Sequence, residues 1–210
     1  MRTASNPILT GCRILCCLAA LQATGTMAQG PGASPDTASV DAARLDYRLQ
    51  PRQIAADTWV IEGAVADFSS ANGCNIINTG FIATSAGTLV INSGPSRLYG
   101  EQQRTAIRRL TPQAVTEVIN LNLHPDYFLG NQAWQDLPIR ALAGTITGQR
   151  AEGKAYEDNL FRLCGEWMKG SEHRPATEAI EPGIRQLGDH RIELLRSEIV
   201  PPMQSVLARA

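Results

Sequence analysis

The stretch that decides the fold reads Ile119-Asn120-Leu121-Asn122-Leu123-His124-Pro125-Asp126-Tyr127-Phe128. Its first residues complete Val115–Leu121, an apolar run that predicts a β-strand buried on both faces. Its last residues predict a helix beginning near Phe128, which Asp126 could cap by accepting from free backbone N–H groups. The chain therefore carries ionisable side chains in the loop between a buried strand and a helix, where α/β proteins commonly place functional residues.

Strands and helices surround this loop in an order that predicts an α/β fold. Upstream lie β-type runs, an antiparallel meander with a tight turn at Ser85-Ala86-Gly87, and a helix capped by Ser96. Downstream lie another strand, a long amphipathic helix and a hairpin. The predicted segments are 45–49, 53–63, Asn75–Thr84, Thr88–Asn92, Ser96–Thr111, Pro138–Leu142, Gly148–Met168, Ile184–Leu187 and Arg191–Leu195. This is the order of half a layered α/β sandwich.

The loop resembles the Thr-His-x-His-x-Asp-His hallmark of the metallo-β-lactamase superfamily, and longer blocks are similar to one branch, the quinoprotein relay system zinc metallohydrolases. The resemblance covers Val65–Leu195. It implies an α/β fold, the N-terminal portion of the αββα metallo-β-lactamase sandwich, as a partial domain over residues 45–196. The blocks are Ala66-Asp67-Phe68-Ser69, Asn72-Gly73-Cys74-Asn75-Ile76, Asn78-Thr79-Gly80-Phe81-Ile82, Gly94-Pro95-Ser96-Arg97-Leu98-Tyr99-Gly100-Glu101 and Asn159-Leu160-Phe161-Arg162-Leu163-Cys164-Gly165.

In that family the hallmark binds zinc. Alternate residues leaving a strand point the same way, so two imidazoles hold one zinc while the Asp and the last His reach a second. The metal pair acidifies a bridging water that attacks a carbonyl carbon. Carried over by position, the resemblance places Asn122 and His124 at the two imidazole positions, Asp126 at the Asp and Tyr127 at the last His. It implies His124 and Asp126 as metal ligands and Asp126 as the catalytic residue.

The chain departs from this pattern at several ligand positions. Asn122 offers a neutral amide, and Tyr127 would have to lose a proton whose reference pKa is about 10. Asn92 stands where the family has an Asp that supports the metal loop, so we expect looser ligand orientation. No histidine follows His190, and residues 197–210 form a divergent tail in place of the family's Gly-His-Thr turn. We therefore expect zinc binding that is weak or absent.

The amino terminus predicts export. Residues 1–28 are typical of a signal peptide, with a short apolar core at Ile14–Ala20 and small residues at Thr26-Met27-Ala28. The apolar core is too short to span a bilayer. Residues 29–44 are rich in Gly, Pro, Ser and Ala and predict a flexible leader. We expect a periplasmic or secreted protein without a membrane span.

Charge and histidine content narrow the function further. The 19 Lys and Arg residues against 20 Asp and Glu residues give a net charge of −1, which excludes the basic surface typical of nucleic-acid binders. The chain has 3 histidines, and only His124 lies at a ligand position. His173, in a polar linker, and His190, in a predicted turn, are expected to be solvated.

Cysteine use agrees with export. Removal of the signal peptide would leave Cys74 and Cys164 of the 5 cysteines. In an oxidising compartment this pair could form one disulfide, and the alternative is two separate buried thiols.

Three functions remain open. The first is the active zinc hydrolase that the resemblance implies. The second is a non-catalytic relative retained as a binding or accessory protein near a quinoprotein dehydrogenase system. The third is the translated remnant of a decayed gene. The resemblance covers only the N-terminal portion of the αββα sandwich, so the apolar face that the other half covers in the family is expected to be uncovered. We therefore expect this face to bind a partner or to mediate oligomerisation.

Overall fold

A seven-stranded mixed sheet forms the first layer of the fold. Its strands lie in chain order from β1 to β7. The first four pair antiparallel, and β4 to β7 pair parallel. The strands are β1 Arg52–Ala55, β2 Thr58–Ile61, β3 Thr79–Thr84, β4 Gly87–Ile91, β5 Val115–Ile119, β6 Ile139–Ala141 and β7 Glu178–Ala179. This computed structural model describes residues 40–200 and 203–209, and side chains up to residue 196.

Helices cover one face of this sheet. They are α1 Arg97–Leu110, α2 Pro125–Phe128 and α3 Ala143–Cys164, with 3-10 turns at Leu129–Trp134 and Gly165–Met168. Ser96 caps α1 by accepting from the Tyr99 N–H, as its sequence position predicted. Strand residues Phe81, Val90 and Val118 pack with helix residues Ile107 and Ile146 in one buried cluster.

A second, three-stranded antiparallel sheet packs on part of the other face. It consists of β8 Gly183–Leu187, β9 His190–Val200 and β10 Met203–Arg209. Ile192 and Leu194 of β9 are buried against Ile82, Leu89 and Ile119 of the first sheet. The apolar alternation along β9 thus places its inward side chains between the two sheets. The observed mixed α/β architecture is the one that the sequence predicted.

Polar contacts join the two sheets at two places. Glu117 on β5 is 3% exposed and pairs with both Arg140 on β6 and Arg185 on β8, the latter at 3.1 Å. At the turns, the Ser85 N–H donates to the Asp189 carboxylate at 2.9 Å and the Asp189 N–H donates to the Ser85 hydroxyl at 3.0 Å. The hairpin is therefore fixed to the first sheet by more than apolar packing.

Two histidines expected to be solvated are in fact paired. His190 lies with its Nδ1 2.9 Å from the Asp189 carboxylate, and its side chain is 18% exposed. His173 lies with its Nδ1 3.0 Å from the Glu157 carboxylate. Both side chains are partly exposed, so these pairs add to their contact with water, and the composition of a turn or a linker does not reveal such pairing.

The segment predicted as a strand at 45–49 is instead an irregular turn. Leu45 and Arg48 have positive φ angles of 52° and 48°, which a strand does not allow. An isolated bridge pairs Asp41 with Asp46. Tyr47, which comes directly after this turn, packs in a buried cluster with Tyr99 and Trp167.

A disulfide joins Cys74 to Cys164 at a Cα–Cα distance of 6.0 Å, which decides between the two alternatives left by the sequence. Both cysteines are buried in the same cluster as Tyr47. Cys74 lies before β3 and Cys164 ends α3, so the bond fixes the helix layer to the loop that precedes the sheet strands.

The predicted signal peptide and leader up to residue 39 lie outside the described residues. Most of the predicted tail forms the end of β9 and β10. The domain limits at residues 45 and 196 and the divergent nature of the tail stay predictions. Within the described part of the chain, no helix is both long and apolar enough to cross a membrane.

Candidate functional site

The site predicted from sequence lies where β4 and β5, a parallel pair, end side by side. Asn92 follows β4 and holds the loop after β5, because its Oδ1 accepts the Leu121 N–H at 2.9 Å. Its own N–H donates to the Ile119 carbonyl at 2.8 Å. We expected the missing charge at Asn92 to loosen the loop, but the neutral amide makes this backbone contact. Its φ of 59° is one that Asn tolerates better than most residues.

The Asn122 side chain stabilises a turn at the start of the loop. Its Oδ1 accepts the His124 N–H at 3.0 Å, which closes an Asx turn. Its backbone carbonyl accepts from the Gln149 side chain at 3.4 Å, and the residue is 8% exposed. The side-chain oxygen that would have to approach a metal is therefore already used to shape the backbone.

His124 and Tyr127 are both partly exposed and lie close together in the loop. Their ring centroids are 6.4 Å apart in an edge-to-face arrangement. Burial, and secondarily the neighbouring Asp126, raises the pKa of Tyr127 above its usual value. The phenolate that could coordinate a metal is thus disfavoured, and the side chain remains a neutral hydroxyl at neutral pH.

Asp126 is the most buried ionisable side chain of the loop, at 2% exposure. It does not cap a helix from outside, because α2 begins at Pro125 and His124 occupies the N-cap position. Its Oδ1 has no hydrogen-bond partner among the described residues. Burial raises the pKa of this carboxyl to about 6, since the charged form is desolvated and poorly compensated.

The buried carboxyl of Asp126 predicts an unusual pH dependence. Its folded pKa of about 6 exceeds the value of an exposed Asp, so the cost of ionising it is absent below about pH 4, builds up between about pH 4 and pH 6, and is complete above pH 6. Asp126→Asn is expected to raise the free energy of unfolding by about 1 to 2 kcal/mol at pH 7.5 and to change little at pH 4. Urea unfolding at both pH values measures this difference.

Asp189→Asn is the control, because it is expected to lower the unfolding free energy at pH 7.5, where Asp126→Asn raises it. The Ser85 N–H, and then His190, holds the pKa of Asp189 at about 2, so its stabilising effect is present at pH 7.5 and fades in acid. The account of Asp126 is wrong if Asp126→Asn destabilises the protein at pH 7.5, because the carboxylate would then have a favourable partner.

A network of buried amides supports the loop from beneath, and our sequence analysis did not single it out. Asn131 exchanges hydrogen bonds with Asn120 at 2.8 and 3.0 Å and accepts from Ser93 at 2.7 Å. Gln149 on α3 donates to Asn120 at 3.4 Å and accepts the Ala176 N–H at 2.8 Å. The sequence signal for this network was the presence of several Asn and Gln residues within otherwise apolar elements. That these residues contact one another is visible only in the folded structure.

This donor set does not fit a zinc ion. A structural or catalytic zinc needs at least three protein ligands, usually imidazole, thiolate or carboxylate. The loop provides one imidazole and one carboxyl, while Asn122 offers only a neutral amide and Tyr127 a phenol whose pKa burial raises above its usual value. Among the residues that the structure describes, no group of three or more His, Cys, Asp or Glu side chains could hold a metal. We therefore derive no chemical step through zinc.

Sequence comparisons give no relatives for this chain. It matches no protein-family model, and no curated protein is significantly similar to it.

Metallo-β-lactamases are among the solved structures with a similar fold. The enzyme from Pontibacter korlensis superposes with a TM-score of 0.50 at 15% identity, over 70% of this chain and 60% of that one. The metallo-β-lactamase IND-7 superposes with a TM-score of 0.50 at 13% identity, over 70% of this chain and 59% of that one. The metallo-β-lactamase DIM-1, in a structure exposed to ceftazidime, superposes with a TM-score of 0.50 at 13% identity, over 76% of this chain and 64% of that one.

These similarities establish the fold. The chain spans about 60% of the length of these structures, and its sheets and helices form a partial metallo-β-lactamase fold. Identity at this level carries no information on activity.

Proposed function

We propose that this chain is an exported, non-catalytic protein of the metallo-β-lactamase fold that serves as a binding or accessory protein of a quinoprotein system. One observation carries the proposal: the Asn122 side chain, at the first ligand position of the hallmark, is used to close an Asx turn onto His124. The loop is thereby organised around a backbone hydrogen bond rather than around a metal.

The surroundings of the loop support the same proposal. The neighbouring Tyr127 is kept protonated by burial, and Asn92 holds the loop as a neutral amide. The amide network of Asn120, Asn131 and Gln149 satisfies its own polar groups without an ion. A site that had merely lost its metal would leave several such groups without partners.

Export and a quinoprotein partner rest on separate support. The buried disulfide suits an oxidising compartment, as does the predicted signal peptide. The quinoprotein system comes from the sequence resemblance over Val65–Leu195. Metal-assisted hydrolysis of the kind performed by metallo-β-lactamases would require ligands that the described residues do not provide.

A zinc-dependent hydrolase is the second candidate, and one observation favours it. The Asp126 carboxyl is buried with an oxygen that has no partner, two residues from the His124 imidazole. Such an orphaned oxygen is the kind of group that a cation would stabilise. Two donors bind zinc weakly without a third, so this candidate needs ligands from outside the described residues.

Hydrolysis assays separate the two candidates. The mature protein, purified with added zinc, is expected to cleave neither chromogenic β-lactams nor thioesters above the buffer rate, with or without chelator. A rate that a chelator abolishes and zinc restores would establish the hydrolase instead.

Thermal unfolding tests the third possibility left open by the sequence, that the chain is the translated remnant of a decayed gene. A cooperative transition is expected, because the disulfide and two buried clusters tie both layers together. The absence of a transition, with dye binding to exposed apolar surface, would indicate a remnant.

A further inference from the structure

The inner face of the first sheet carries an open cleft beside the second sheet. One part, a groove of about 380 Å³, lies between Ile54, Val60 and Ile82. A second part, a pocket of about 540 Å³, lies between Val65, Ile77 and Tyr127. Asn78, Asn92 and Leu121 line both, so the two parts are adjacent. We call the combined depression the sheet cleft.

The described lining of the sheet cleft carries no charge. Among the residues that the structure describes, none that lines either part is Asp, Glu, Lys, Arg or His. A charged ligand entering it would lose hydration without meeting an opposite charge, which is costly. Both volumes fall within the range of small-molecule sites, which are mostly apolar with a few polar groups.

Polar groups lie together where the two parts meet. The Asn78 side chain is exposed there, and the half-buried Tyr127 side chain lines the adjoining pocket. Asn92 lies between them but is buried, with its amide bonded to the Leu121 N–H and the Asn78 carbonyl. Asn78 and Tyr127 are therefore the neutral groups that offer hydrogen bonds to a ligand at this end of the cleft.

We propose that the sheet cleft binds an uncharged, largely apolar small molecule, with its polar group near Tyr127 and its apolar body along the sheet. The inference rests on the proposed function in treating the chain as a binding protein. It makes no use of a metal.

A matched pair of fluorescent probes tests this. N-phenyl-1-naphthylamine is uncharged, and 8-anilinonaphthalene-1-sulfonate is the same ring system with a sulfonate. The mature protein is expected to bind one neutral probe per chain and to bind the sulfonate at least about tenfold more weakly, because none of the described residues that line the cleft is a cation.

Two exposed residues locate the binding site without disturbing the fold. Val65 and Ile54 are 106% and 55% exposed and line the two parts of the cleft. Val65→Asp and Ile54→Asp are each expected to weaken neutral-probe binding about tenfold, the effect of losing one apolar contact and adding a charge. Phe161→Asp is the control, since Phe161 is 52% exposed on α3, outside the cleft.

Three results would overturn the inference. The first is equal affinity for both probes, and the second is an equal loss in the Phe161→Asp control, because either indicates unspecific apolar surface. The third is self-association in sedimentation equilibrium that Ile54→Asp abolishes, with no probe bound, because a second copy would then fill the cleft. Failure of probe binding leaves the hydrolysis assays unaffected, so the two proposals fail separately.

Discussion

The double variant Cys74→Ala/Cys164→Ala is expected to lose about 4 to 5 kcal/mol of unfolding free energy, the largest effect of any change considered. The disulfide closes a loop of 90 residues, and this constraint on the unfolded chain accounts for that magnitude. Both cysteines are buried, so their replacement also leaves small cavities beside Tyr47 and Trp167.

Denaturant unfolding in oxidising and reducing buffer measures this effect. The native protein should fall to the stability of the double variant on reduction, whereas the variant should not respond to reductant. Equal stability of the native protein in both buffers would show that the disulfide does not form in solution.

The second large effect is expected at the joint between the sheets. Glu117→Gln should destabilise the protein by about 2 to 3 kcal/mol, because Arg140 and Arg185 lose the buried carboxylate that they share. Loss of a buried partner commonly costs more, but these two arginines are 26% and 31% exposed and keep access to water.

Glu178→Gln is the matched control for this joint. Among the described residues, Glu178 pairs with Arg140, at 2.7 Å, and it is 50% exposed, so its loss should cost less than about 1 kcal/mol. Urea unfolding of both variants at pH 7.5 gives the comparison. Similar losses in the two variants would contradict the view that Glu117 fixes the hairpin to the first sheet.

The sequence predicted the regular part of the fold well. The meander of β3 and β4, the cap at Ser96 and the hairpin at Ile184 were readable because apolar periodicity and turn residues are local signals, although β3 begins at Thr79 rather than at the predicted Asn75. The turn around Leu45 was not readable, because its positive φ angles accompany the burial of Tyr47 against distant aromatic rings.

The candidate site was predictable in position but not in organisation. The resemblance located the loop at Asn122–Tyr127, and the structure places it at the end of β5. Which polar atoms are free to act depends on contacts from other elements, such as Gln149 on α3. The pairing of Asp189 with Ser85, remote in sequence, is a contact of the same kind.

The altered ligand positions are best understood as parts of the fold. Asn92 and Asn122 both use their side-chain oxygens to hold backbone N–H groups of the loop. Replacing Asn122 and Tyr127 by His would therefore remove the Asx turn while adding imidazoles.

Zinc content tests this account most directly. Mature protein dialysed against excess zinc and then against metal-free buffer is expected to retain well under one zinc per chain by elemental analysis, because the loop offers fewer than three competent ligands. One or two zinc ions per chain, released by a chelator together with hydrolytic activity, would contradict it.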